Sequence, residues 1–171
     1  YNDVTFNNNG TKMYLLGYSN DVMYEYTLSV AYDISTATHN GNTYTITEDS
    51  SPMNLDFSAD GSKLFVISIG GELLQYDLST PFDLSTVSFN SVAFDTDSQE
   101  SNPYGLAFNA DGSKFYTMGF TSRVHEYHML PVIEYAENDT IVVVDADAND
   151  GDGGSADDGI NYGLATGGDN D

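Results

Sequence analysis

The chain has no cysteine and only four basic residues, Lys12, Lys63, Lys114 and Arg123, among 171. Without cysteine there are no disulfides, no Cys-ligated zinc and no thiol chemistry. Stability must come from core packing, a metal or assembly. So few bases argue strongly against nucleic acid as a partner, because neutralising a phosphate backbone takes Lys and Arg. The same scarcity argues against an anionic membrane surface. Long apolar runs are missing too: the longest are about five residues, far short of the roughly 20 that span a bilayer as a helix. The start, Tyr1-Asn2-Asp3-Val4, has neither the basic residues nor the apolar stretch of a signal peptide. The expectation is a processed secreted chain or a piece of a longer one.

What is present is acid and aromatic surface. Twenty-seven Asp and Glu give a net charge of −23, yet 40% of residues are apolar and 13% aromatic. That is enough for a packed core and too much for a disordered acidic tail. The acids are uneven. Residues 134–171 hold 11 of them and no base, while residues 1–133 carry a net −12. Such a shift marks a boundary near Pro131.

The first part repeats. Asn7-Asn8-Asn9-Gly10-Thr11-Lys12 returns as Ser58-Ala59-Asp60-Gly61-Ser62-Lys63 and again as Asn109-Ala110-Asp111-Gly112-Ser113-Lys114, 51 residues apart each time. All three lysines occupy this one repeat position. Val4 and Phe6 align with Leu55 and Phe57, then with Leu106 and Phe108. Tyr14 aligns with Phe65 and Tyr116, and Tyr26 with Tyr76 and Tyr127. Tyr32 to Thr36 aligns with Phe82 to Thr86. Leu55 and Phe57 alternate with Asn54 and Asp56, the period of a half-buried strand. Asp60-Gly61 is a tight-turn dipeptide. Leu64 to Ser68 and Leu73 to Leu78 follow as strands, with a Gly70-Gly71 turn between them. Ser79 to Thr86 is a polar connection, and Val87 to Phe94 is a fourth strand. Four strands in about 50 residues is the arithmetic of a propeller blade.

Phe57 to Phe65 and Tyr76 to Thr86 carry a pattern that resembles the propeller repeats of bacterial and phage-associated surface proteins. The resemblance covers about residues 1–130, with units starting near 2, 53 and 104. Only about two and a half units are present, because the third stops after Tyr127-His128-Met129-Leu130. The expected fold is therefore all-β, with four-stranded antiparallel propeller-type blades, followed over 131–171 by part of a cadherin-like β-sandwich. That second resemblance rests on Glu137-Asn138, the strand Thr140 to Val144, the acidic run from Asp145 to Asp158, Tyr162-Gly163-Leu164 and Gly167-Gly168-Asp169. It implies that Glu137, Asp150 and Asp152 are calcium ligands. The chemistry of the run agrees, since Ca²⁺ takes six to eight hard oxygens, and Asp145 and Asp147 add to the set. Without a cation these acids repel one another. An EF-hand does not fit, because its sixth and twelfth positions fall on Asp150 and Ala156. The upstream Asp-x-Asn-Asp-Asn linker of a cadherin array is also absent.

The three histidines, His39, His125 and His128, are the only neutral-pH bases. His125 and His128, three apart on a strand, face opposite sides and form no metal pair. Asn9-Gly10-Thr11 and Asn138-Asp139-Thr140 match the N-glycosylation acceptor pattern. The resemblances together imply an extracellular, cell-surface structural or adhesive glycoprotein, part of an adhesin or filament, not an enzyme and stabilised by Ca²⁺. Its expected partners are other copies of itself, sharing strands between copies, or further domains of a longer chain. Glycans and cell-surface protein are further partners. Two alternatives stand beside it: a calcium-dependent propeller enzyme acting on sugars or lactones, and a phage or pathogen receptor-binding module.

Overall fold

The computed structural model describes residues 1–17, 19–129, 142–144 and 162–164. They form three antiparallel sheets. The first holds β1 (Asp3–Phe6), β2 (Lys12–Leu16), β3 (Val22–Leu28) and β4 (Ala37–Thr45), in that order. The second repeats it with β5 (Pro52–Phe57), β6 (Lys63–Ser68), β7 (Glu72–Leu78) and β8 (Val87–Asp95). The third has β9 (Pro103–Phe108), β10 (Lys114–Gly119) and β11 (Val124–Met129), then β12 (Val142–Val144) and β13 (Tyr162–Leu164). The all-β class, the antiparallel pairing and the blade-like meander agree with the sequence reading.

Each element follows from local chemistry. At the first hairpin of the second sheet, Asp60 accepts from the Ser62 amide (3.0 Å) and from the hydroxyls of Ser58 (2.7 Å) and Ser62. Gly61 then takes φ +73°, where a side chain is strained. The polar connection Ser79–Thr86 ends in a 3-10 turn, Leu84–Thr86, capped by the Asp83 carboxylate on the Ser85 amide. The first unit does the same with Asp33 over Ile34–Thr36.

The third sheet departs from expectation. The sequence reads as stopping after three strands, but β12 pairs with β11 through His128↔Val144, and β13 pairs with β12 through Val143↔Gly163. Both strands were expected in a separate sandwich. An apolar β-branched run reads as a strand whatever it pairs with, and the open edge of β11 is what it pairs with here.

The sheets pack face against face. One core joins Tyr14, Leu16 and Met23 of the first sheet to Leu55, Leu64, Val66, Leu74 and Tyr76 of the second. The other joins Phe65, Ile67 and Leu73 of the second to Leu106, Phe115 and Tyr127 of the third. Each sheet thus has a forward face, towards the next sheet, and a rear face, towards the one before. Alternation along the strands sends Phe65 and Ile67 forward and Leu64 and Val66 backward.

Candidate active site

The first strand of each sheet lies against the first strand of the next. Asp3 Oδ2 on β1 accepts from the Leu55 amide of β5 (2.9 Å), and Asn2 donates to the Pro52 carbonyl (2.9 Å). Asp56 Oδ2 on β5 accepts from the Phe108 amide of β9 (3.3 Å). β1, β5 and β9 are therefore the strands around which the sheets fan, and they carry two carboxylates, Asp3 and Asp56.

These two acids are departures from the repeat. The position of Asp3 is Asn54 and Gly105 in the later units, and the position of Asp56 is Thr5 and Ala107. Burial pushes the Asp56 carboxyl above the usual range. The amides of Phe57 and Phe108 oppose that shift, and the negative charge of Asp3 adds to it. An acid biased towards its neutral form, with each oxygen oriented by one backbone N–H, takes up a proton more readily than a solvated Asp. Sequence reading missed both residues because alternation alone assigns Asn54 and Asp56 to a solvent face. The break in repeat register was the signal available.

A second polar group lies where the loop after β8 meets the turn between β10 and β11. The buried Glu100 accepts from the Asn102 amide (3.0 Å), the Thr121 amide (2.9 Å) and the Thr121 hydroxyl (2.6 Å). Burial would raise its carboxyl, but those hydrogen bonds and the nearby His125 outweigh it and hold it below the ordinary range. His125 is buried, 3.5 Å from the Thr121 hydroxyl. His39 is exposed and stacks edge-on to Tyr26. His128 pairs with Glu126 at 3.1 Å.

The acids expected to hold calcium, Glu137, Asp145, Asp147, Asp150 and Asp152, lie outside the described residues, as does Asn138. Asn9 is exposed, and its carbonyl oxygen accepts from the Thr11 amide and hydroxyl. Among the described residues, no group of three or more His, Asp or Glu is placed to hold a metal ion. Nor, among them, is any helix long and apolar enough to cross a membrane.

No family model matches the sequence, and no curated protein matches it. Solved structures do share the fold. A protein from Bacteroides uniformis described as a 6-phosphogluconolactonase superposes with a TM-score of 0.57 at 12% identity, over 93% of this chain and 52% of its own. A second, from Bacteroides fragilis and described the same way, gives 0.56 at 10% identity, over 94% of this chain and 36% of its own. The periplasmic gluconolactonase of Pseudomonas aeruginosa gives 0.55 at 16%, over 76% and 36%. At these identities the likeness is one of fold, and the chain spans about a third to a half of their length.

These findings correct the first reading. The propeller-type fold stands, but these three chains that share it are described as lactonases, not as adhesins or cadherin-like proteins. The cadherin-like segment is not upheld: its two expected strands extend the third sheet. The adhesive, filament-forming and structural reading falls with it, and so does the expectation that the chain is not an enzyme. Tight hairpins with Asp-Gly-Ser-Lys turns suit a propeller of any activity, so the repeat motif never discriminated between the two.

Proposed function

We propose that this chain is a section of a β-propeller hydrolase acting on a lactone of a sugar acid. The carrying observation is the pair Asp3 and Asp56, two carboxylates outside the repeat register, set where the inner strands converge, with Asp56 raised by burial. The shared fold with proteins described as lactonases supports the choice of substrate class. In this reading Asp56 takes a proton from a water as its oxygen attacks the lactone carbonyl carbon. The ring C–O bond then breaks, and Asp56 returns the proton to the leaving oxygen. Asp3 is a positioning residue whose charge adds to the upward shift that burial produces at Asp56.

Calcium is proposed for the acidic segment alone, on Glu137, Asp145, Asp147, Asp150 and Asp152, as a stabilising ion. An extracytoplasmic location is proposed with it, supported by the periplasmic protein that shares the fold.

The test is acid release from glucono-δ-lactone, followed by pH-stat on the assembled propeller. Asp56→Asn is expected to lower kcat/KM by about 10²-fold or more. Asp3→Asn is expected to move the acid limb of the pH profile to lower pH, because it removes the charge that helps raise Asp56. Unchanged turnover in Asp56→Asn would rule the proposal out.

A further inference from the structure

Strand β4 breaks its ladder in one place. Tyr24 pairs with Thr43 and Tyr26 with His39, so Asn40, Gly41 and Asn42 bulge out of register. Strand β8 repeats the bulge at Asn90-Ser91, since Gln75 pairs with Val92 and Tyr76 with Phe89. The two bulges share their local geometry. Asn40 Oδ1 accepts from the Asn42 amide (3.0 Å), and Asn90 Oδ1 accepts from the Val92 amide (3.1 Å). The middle residue is left-handed in both, Gly41 at φ +94° and Ser91 at φ +62°. Asn40 and Gly41 are exposed to water, and nothing lies within 4 Å of where a Gly41 Cβ would stand.

Asn40 also takes part in the contact between the first two sheets. Its side-chain nitrogen donates to Oε1 of Glu25, which is fully buried and paired with Lys12 (2.9 Å). The other Glu25 oxygen accepts from the Leu84 amide of the second sheet (2.8 Å). Beside it, Asn42 donates to Asp83 of the second sheet (3.3 Å).

We infer that Asn40 is a self-modification site, where the Gly41 nitrogen displaces the Asn40 side-chain nitrogen and the carboxylate left behind weakens the grip of the first sheet on the second. In this step the Gly41 nitrogen gives its proton to solvent and bonds to Asn40 Cγ. The Cγ–Nδ2 bond breaks, and Nδ2 leaves as ammonia with a proton returned from solvent. The cyclic imide then adds water and opens to Asp or iso-Asp at position 40. The Asn42 amide, already on Oδ1, stabilises the negative charge that builds there during attack. Glycine lets the backbone turn its nitrogen onto Cγ. Ser91 lacks that freedom and carries a side chain beside the nitrogen. The product cannot donate as Asn40 does, because a carboxylate only accepts. It sets a second negative charge against the buried Glu25.

The other Asn-Gly pair, Asn9-Gly10, is a control within the chain. The Gly10 amide donates to the Asn7 carbonyl (3.0 Å), and the Tyr32 ring lies where a Gly10 Cβ would stand. Its nitrogen is therefore held. The later units carry Asp60 and Asp111 at the Asn9 position, so an acid there suits the turn.

The test is peptide mapping by mass spectrometry of the 171-residue chain, kept warm at mildly alkaline pH, both folded and in urea. In the folded chain Asn40 is expected to convert at least about tenfold faster than Asn9 and Asn90. In urea Asn9 and Asn40 should react alike, because the fold alone separates them. Gly41→Ser should slow Asn40 to the rate of Asn90. Asn40→Asp is expected to lower Tm by about 3 °C or more, while Asn9→Asp leaves it unchanged. Three results would each overturn the inference: Asn40 intact in the folded chain, Asn9 or Asn90 as reactive there as Asn40, or an Asn40→Asp melt identical to wild type.

Discussion

Asp60 illustrates how single side chains set the turns. Three neighbouring groups donate to its carboxylate, and they bring its pKa down to about 2 from an ordinary 3.8. A depressed carboxyl contributes stability above its unfolded pKa and loses it as pH falls through the folded value. Asp60→Ala is therefore expected to destabilise the fold at pH 7 by about 1 kcal/mol. The gap to wild type should close below about pH 2, where wild-type Asp60 is itself protonated. Urea midpoints across pH 7 to 2 would measure this, and a gap that persists in acid would contradict it. Asp56 and Glu72 have the opposite sign. Burial raises both, with the charges of Asp49 and Asp95 adding to the shift at Glu72. Their contribution is fully present in acid and lost as pH rises through their folded values.

The hairpins and connections form the next level. Gly61 takes φ +73°, and a Cβ there would fall on the ring of Phe82, which lies over the turn. Gly112 takes φ +70° with nothing within 4 Å of such a Cβ. The two glycines separate backbone strain from steric clash. Gly112→Ala is expected to cost about 1 kcal/mol, the left-handed penalty alone. Gly61→Ala should cost at least about twice that, because the Phe82 ring must also move from its place beside Phe57. Equal losses in thermal melts would mean that the aromatic cover contributes nothing. The strands themselves were legible in the sequence. Alternation marked β5, and β-branched and aromatic runs marked β6 and β7. The partner of β11 was not, because nothing in Val142–Val144 specifies which edge it joins.

For the whole molecule, the charge distribution makes a separate prediction. The acids of residues 134–171 repel one another unless a cation is present. Saturating Ca²⁺ is expected to raise stability by about 3 kcal/mol, as ligand linkage gives at a hundredfold excess over Kd. Differential scanning calorimetry would read this as a higher Tm. Asp150→Ala and Asp152→Ala should each reduce the shift, and a Tm indifferent to calcium would remove the ion from the account.

The sequence by itself determined the 51-residue period, the strand content and the turn chemistry. These are local properties, written in alternation, in Asp-Gly pairs and in the spacing of three lysines. Tertiary structure alone decided the rest. It brought Asp3 and Asp56, 53 positions apart, onto neighbouring inner strands, gave β11 its outer partner, and placed Glu25 over the turn of the next sheet. Each of these depends on which face meets which, and a period of two along a strand carries no record of what packs against it. The absent cysteine leaves no disulfide or thiol chemistry in these 171 residues, and the two aspartates that break the repeat carry the proposed activity.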